Sequence, residues 1–461
     1  MTSVSAAVSE WVARLTFEEL PGDVVAASKF RILDVLGLSI AGGETAFGRS
    51  VRTTAQQLYS GGEGRVWGSA DRASVIGAAF ANGALSQALE YDDTHNESIV
   101  HMSSPSVAAA LALADAVRPS GRDVIKAVAL GNEISSRIGS ITPGQFHKRG
   151  FHPSGLFAPF GVCWLAASLY RLNAEQMVRA AGIVGSFAAG LLQCWVDGTQ
   201  SKFLHPGWAA QSGIVAANLA RAGATGPSEV VEGRFGLFAS HLQSADAAPN
   251  YARLSDGLGK TWESRNASFK PFPVAHVIHP YIDALLRLRA EHGLKAADVK
   301  RIVCPVAQYI VGIVCEPVSE KRRPLTDSHG RVSLQYTLAE ALVRGRIGKD
   351  AYSKAALRDP EILSVADRVE FVVDPNFPGP QQFKGVVSIE TADGRRLEAI
   401  EEHNRGSSAN PMSAEDLIAK FRENVAGVLP DKQAERVVDA VLSLDEAPDA
   451  SAIAQLTAPA P

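Results

Sequence analysis

Two carboxylates and two histidines share the stretch ALEYDDTHNESIVHMSSPS, residues 88–106. Asp92 and Asp93 are adjacent, His95 follows, and His101 stands just before a Ser-Pro pair that opens an Ala-rich segment. These side chains could move protons, since a carboxylate can fix the tautomer of an imidazole and raise its basicity. They could also hold a divalent cation through Asp92, Asp93 and His95, although no HExxH or third-ligand spacing accompanies them. In a third reading, one Asp simply caps a turn. Two negative charges at the end of an Ala-rich helix are locally unfavourable, because that pole prefers cations. Residues that break a local rule often mark function.

Four histidines precede expected helix starts: His101 before SSPS, His152 in GFHPSGLFAPFG, His205 in KFLHPGWAAQSG and His279 in VIHPYIDALL. Pro in a first helical turn is ordinary punctuation. A helix N-terminus also presents free N–H groups and partial positive charge, which bind carboxylates. A histidine there tends to stay neutral and can act as base or donor. Lys202 lies in DGTQSKFLHPG, and Lys270 opens KPFPVAHVIHP, which also carries His276. Both lysines have apolar and aromatic neighbours. Together with the histidines they suit a substrate bearing two or three carboxylates.

The elements that must position these groups change character along the chain. Residues 1–264 read as helix after helix, with DVVAASKFRILDVLGLSIAGG, SVIGAAFANGALSQALE and PSVAAALALADAV as examples. Residues 265–407 read as a smaller α+β domain. RIVCPVAQYIVGIV (301–314) and RVEFVVDP (368–375) are β-branched, and GVVSIETADGRRLEA holds a hairpin signal at Ala392-Asp393-Gly394. Helices are expected at HPYIDALLRLRAEHG and SLQYTLAEALVRG. Residues 408–461 return to helical texture, with capping-box spacing at Ser413 and Asp416 and a poorly ordered tail expected after Ala447. The expected fold is therefore mainly α with an α+β part.

Composition excludes several functions. At 46% hydrophobic and 20% charged the chain is an ordinary globular protein, and its net charge of −4 gives no footing for nucleic acid or an anionic membrane. MTSVSAAVSEWVARL lacks the pattern of a signal peptide, and no apolar run approaches the ~18 residues of a membrane helix, so a cytoplasmic protein is expected. Cysteines 163, 194, 304 and 315 form no CxxC pair, which argues against a zinc ribbon or iron–sulfur cluster and suits buried thiols. DGLGKTW tempts a phosphate-loop reading, but Leu254 stands where that loop needs its first glycine. No GxGxxG follows a strand, and no Gly-x-Ser-x-Gly elbow occurs. Neither a cofactor nor a metal is expected.

YDDTH, the later His101, FHPSG, DGTQSKFLHPG, KPFPVAHVIHP and KRRPLTDSHGRVSLQY follow one another in the order seen in the MmgE/PrpD family, which the chain resembles over nearly its whole length. That family includes 2-methylcitrate dehydratase, cis-aconitate decarboxylase and iminodisuccinate epimerase. The resemblance implies a large helical domain with a smaller α+β lid, a homodimer, an active site between the domains, and cofactor-independent chemistry on polycarboxylates. Asp93 is similar to the family's motif aspartate, and His101 to the histidine after it, a candidate base. His152 and Lys202 match the FHPSG histidine and the SKF lysine, Lys270 matches the KxFP lysine, and Tyr336 in SLQY resembles an active-site tyrosine. The catalytic set so implied is Asp93, His101, His152 and Tyr336, with Asp92, Lys202, His205, Lys270 and His276 in the binding set. The chain departs from the family pattern at Met102, where many relatives carry Pro, and at His276, one position later than usual.

The shared chemistry would ionise a C–H bond α to a carboxylate, or handle the equivalent carbanion. Lysines and helix N-termini would stabilise the developing enediolate, and a near-neutral histidine would carry the proton. Loss of a β-hydroxyl gives dehydration, as in 2-methylcitrate dehydratase, and this outcome is the first expectation. Epimerisation and decarboxylation are the alternatives, and a non-catalytic polycarboxylate-binding protein is a fourth.

Overall fold

The computed structural model describes residues 3–379 and 382–459. Helices make up 57% of it and the main sheet has four strands, so the chain is mainly α with an α+β part. Nine helices position the site: α1 (Gly22–Gly43), α2 (Val75–Gln87), α3 (Ser103–Val117), α4 (Gly121–Gly139), α5 (Pro153–Leu169), α6 (His205–Arg221), α7 (His279–His292), α8 (Leu334–Arg344) and α9 (Ala414–Val425). Every residue of α3 from Ser103 to Asp115 and of α5 from Pro153 to Ala167 is buried. Helices that are apolar all round are buried on every side, so these two form the centre of the helical body.

Small residues let the central helices touch backbone to backbone. Gly83 of α2 faces Gly207 of α6, and a Cβ on Gly207 would lie 2.2 Å from the carbonyl oxygen of Phe80. This contact holds the start of α6, where Lys202 and His205 lie, against the helix that leads into Asp92 and Asp93.

Two large apolar cores result, with two smaller clusters beside them. The first runs from Val8 to Ala267 and takes in Phe421, Val437, Leu444 and Ile453, so the last helices pack back onto the helical body. The second spans Phe272 to Ala399 and joins α7 and α8 to the sheet. In that sheet β1 (Val299–Val306) lies between β2 (Val369–Val373), which is parallel to it, and β3 (Gly385–Thr391), which is antiparallel; β4 (Arg396–Glu401) completes the hairpin expected around Asp393. Pro305 is tolerated in a central strand because the pairing with β3 ends at Val303.

Two expectations fail locally. The β-branched run after Val306 turns helical over Gln308–Cys315. Its buried residues are Ile310, Val311, Val314 and Cys315, a helical spacing that outweighs β propensity. Within the tail, Ser451–Leu456 is a helix that buries Ile453 and Ala454, while residues 460 and 461 lie outside the described residues. The four cysteines are free and buried.

Gly207→Ala should wedge α2 and α6 apart. Overpacking of a filled core costs typically about 1–3 kcal/mol, so the midpoint of thermal unfolding should fall clearly. Gly22→Ala, which meets nothing within 4 Å, should leave it unchanged. Equal midpoints for the two variants would show that the α2–α6 contact is slack.

Candidate active site

The connection from α2 to α3 does not run over the surface. Residues 88–96 are buried, and Glu90 has a left-handed φ of 52°. A buried loop must find partners for its backbone polar groups. Here cations supply them. The Arg331 guanidinium donates to the carbonyls of Leu89 (2.9 Å) and Pro273 (2.7 Å). Lys270 Nζ donates to the carbonyl of Glu90 at 3.0 Å, and Lys420 Nζ to that of Tyr91 at 3.0 Å. Lys202 is paired with the Glu90 carboxylate and Arg31 with that of Asp93, while Lys420 also reaches Asp34 at 2.8 Å. Burial pushes the Glu90 carboxyl up, but Lys202 and then Lys270 pull it down further, to about 2. Glu90 is therefore ionised.

The pair Asp92-Asp93 looks misplaced only for the helix that ends before it. Asp93 accepts from the backbone N–H of Ser103 (3.2 Å) and from its hydroxyl (2.5 Å), so it caps α3. A carboxylate at a helix N-terminus is favourable. Asp92 accepts from Gln87 (3.2 Å) and Ser104 (3.0 Å) through Oδ2, and its Oδ1 lies 3.4 Å from His101 Nδ1. Burial raises its carboxyl above the usual range, opposed by Lys270. His101 Nδ1 is 2.9 Å from the carbonyl of Asp93. A carbonyl only accepts, so Nδ1 carries the proton and Nε2 the lone pair. The free lone pair is the form a general base requires. Burial, then Lys270 and Lys202, hold the His101 imidazole well below its ordinary range, so it is neutral near pH 7.

His152 caps the start of α5, its ring centroid 5.6 Å from that of His101. His152 Nδ1 meets His205 Nδ1 at 2.8 Å. His276 lies 4.9 Å from His279 by ring centroids and contacts Asn404 at 2.9 Å. Burial comes first among the causes that keep His152, His276 and His279 well below the ordinary range. Lys270 is 1% exposed, and its ammonium is held below the usual value by burial. A narrow crevice, with room for about one water, opens onto Glu90 and Lys202, walled by Trp195 and Phe203 from one side and by His329 and Val332 from the other. Its walls come from both halves of the chain.

The structure thus gathers Asp92, Asp93, His101, His152, Lys202, His205, Lys270 and His276 around one buried loop. It does not bring Tyr336 there. That side chain lies on the apolar face of α8, its hydroxyl donates to the carbonyl of Ala351 at 3.0 Å, and its ring packs on Tyr352 in the second core. His95 turns away from the aspartates: Nδ1 contacts Ser98 at 2.7 Å and Nε2 faces Glu263 at 3.7 Å. Among the described residues no group of three or more His, Cys, Asp or Glu could hold a metal ion. Sequence reasoning missed Glu90, Arg31, Arg331 and Lys420. Arg31 and Asp34 interrupt an apolar run, and Lys420 shares the buried face of α9 with Leu417 and Phe421, so a charge on an apolar stripe was the available signal.

Fold and site together define a mainly helical protein of two cores, with a buried histidine–lysine–carboxylate cluster where the cores meet. The chain belongs to the MmgE/PrpD family: the N-terminal family domain matches residues 6–250 and the C-terminal one residues 272–446. It is 28% identical to the cis-aconitate decarboxylase of Homo sapiens, covering 99% of this chain and 95% of that protein. It is 26% identical to the cis-aconitate decarboxylase of Aspergillus terreus, covering 99% and 96%. With the 2-methylcitrate dehydratase of Escherichia coli it shares 22% identity over 83% and 81%. No described helix is long and apolar enough to cross a membrane.

Six histidines give the fold a pH dependence. His101, His152, His276 and His279 lie well below 6.5, and His147 and His205 near about 4. Between those values and 6.5 the unfolded chain binds more protons, so stability is full above 6.5 and falls as pH drops below it. The raised carboxyls of Asp34 and Asp283 (about 6), Glu340 (about 7), Asp92 and Asp115 work in the opposite direction and are fewer. The thermal midpoint should therefore decline from pH 7 to pH 5. A midpoint that rises over that interval would mean the carboxyls dominate.

Proposed function

We propose that the chain is a cofactor-independent lyase that acts on a di- or tricarboxylate by proton transfer at the carbon α to a carboxylate. The observation that carries this reading is a neutral His101, with Nε2 free, on the same buried loop that Lys202 and Lys270 both reach through Glu90. Counted over the loop, five cations (Arg31, Lys202, Lys270, Arg331 and Lys420) face four carboxyls (Asp34, Glu90, Asp92 and Asp93). Two of those carboxyls, Asp34 and Asp92, have raised values, so they are less fully ionised than ordinary ones. The surplus is positive in a place sheltered from water, where charge acts strongly. It favours an anionic ligand and the extra negative charge of an enediolate.

The geometry supports one assignment of roles. Lys202 and Lys270 hold substrate carboxylates. His101 Nε2 takes or returns the proton at the α carbon, with Asp92 and the carbonyl of Asp93 fixing its ring. His152 is the second proton carrier, and Asp93 holds the start of α3 in place. Decarboxylation now stands first among the outcomes, because similarity to cis-aconitate decarboxylases runs the length of both chains. Dehydration, which the family resemblance put first, follows. The two cores closing over the site would exclude water from the carbanion.

Cis-aconitate, citrate, 2-methylcitrate and iminodisuccinate should be offered separately in deuterated water and followed by proton NMR. Release of CO2 with deuterium in the product identifies decarboxylation. Loss of hydroxyl identifies dehydration, and exchange with inversion identifies epimerisation. His101→Asn should lower turnover by about 10²–10⁴-fold. Lys202→Met and Lys270→Met should each weaken binding about tenfold or more, since a charge-assisted hydrogen bond contributes roughly 1.5–3 kcal/mol. Tight binding without exchange or product would leave a carboxylate-binding protein, and undiminished affinity in both lysine variants would put the substrate elsewhere.

A further inference from the structure

We infer that His152 and His205 form a two-histidine proton relay that links the buried site to solvent through the start of α6. The inference rests on the proposed function, and it matters most for decarboxylation. Dehydration needs no proton from outside, because the base removes one proton and the leaving hydroxyl takes one up. Decarboxylation breaks a C–C bond, leaves its electron pair on carbon and must import one proton per turnover.

The geometry supplies a route. His152 is 1% exposed, and its Nε2 is buried without a hydrogen-bond partner among the described residues. Its other ring nitrogen, Nδ1, lies 2.8 Å from His205 Nδ1. Two such nitrogens at that distance share one proton, so one donates and the other accepts. His205 is only half-buried, beside the exposed Leu204. His101 stands on the inner side, and Lys202 and the half-buried His147 are the remaining titratable groups that act on the pair. His147 packs on Trp195 at 5.0 Å between ring centroids, which leaves the His152–His205 contact as the direct path.

The step balances when the transfers are concerted, so that neither ring passes through an imidazolate. His152 starts with its proton on Nε2 and gives it to the carbanion carbon, forming the new C–H bond. In the same motion its Nδ1 takes the proton on His205 Nδ1, and His205 Nε2 takes one from a buffer acid or water, which leaves as the buffer base or hydroxide. Each ring ends neutral with its tautomer reversed; once the product leaves, His152 Nε2 takes a proton from entering water, the Nδ1 proton passes back to His205, and His205 Nε2 returns one to solvent, so each turnover imports one proton. Burial and Lys202 keep both rings neutral, the state in which tautomer switching operates. His205 acts through His152 and is a positioning and relay residue.

His205→Gln and His205→Ala should be compared with the wild type on whichever of the four probe carboxylates it turns over. Both variants should lose about tenfold or more in kcat with KM nearly unchanged. The Ala variant should regain activity as free imidazole is added, while the wild type should not respond. Thermal midpoints serve as the control for folding, and if the Ala variant does not fold, the Gln variant with imidazole and a small carboxylic acid buffer replaces it. Unchanged kcat would overturn the relay and leave the proposed function standing. Slowed turnover in a folded variant that no buffer rescues would also overturn it and make His205 a packing residue. No turnover or exchange by the wild type on any probe would remove the proposed function and the relay together.

Discussion

A connection between two helices, Ala88 to Asn96, passes through the interior of this protein, and its polar groups must be satisfied there. Five cations from five separate elements do this. Arg31 comes from α1, Lys202 from the turn before α6, Lys270 from the segment between the cores, Arg331 from the approach to α8 and Lys420 from α9. A buried cation without a partner is strongly destabilising. The loop and its cations therefore stabilise each other or fail together. Because the cations belong to both cores, the same contacts tie the second core and the C-terminal helices to the helical body.

The chemistry of the site follows from this arrangement. Lysines brought in to grip a loop also raise the local potential, and burial removes the water that would screen it. Histidines close by respond by staying neutral. They stand at helix starts, where partial positive charge adds to the effect: His152 before α5, His205 opening α6 and His279 opening α7. One structural demand thus produces a buried, positive site and bases with free lone pairs. Glu90, held at a left-handed φ in the middle of it, fits the tendency of backbone strain to collect where function lies.

Much of this was legible in the sequence where punctuation and chemistry coincide. His152-Pro153, His205-Pro206 and His279-Pro280 announce helix starts and expose their histidines at once. The hairpin at Asp393 and the capping box at Ser413 rest on local rules that tertiary packing does not override. Other features depend on direction in space. Tyr336 has the right type and motif, yet its place on α8 aims the hydroxyl at Ala351. Glu90 reads as one acid among three in EYDD, and only the converging lysines distinguish it. The misplaced look of Asp92-Asp93 came from assigning the pair to the helix behind it, whereas Asp93 serves the helix ten residues ahead.

The pairing of Lys202 with Glu90 also bears on which ligands the site can select. A ligand carboxylate that reaches Lys202 replaces an anion already there, so one charge is exchanged for another and little is gained. A monocarboxylate is thus a poor competitor for an internal glutamate that has no translational freedom to lose. A second or third carboxylate changes the balance, because Lys270 bonds only a carbonyl closely, with the Glu90 carboxylate 3.7 Å away, and Arg331 bonds only carbonyls. Those positive charges are solvated by dipoles and not neutralised. For the proposed polycarboxylate ligand, selectivity would come from the internal competitor as much as from the cationic groups, with Glu90 setting a threshold that a single charge does not cross.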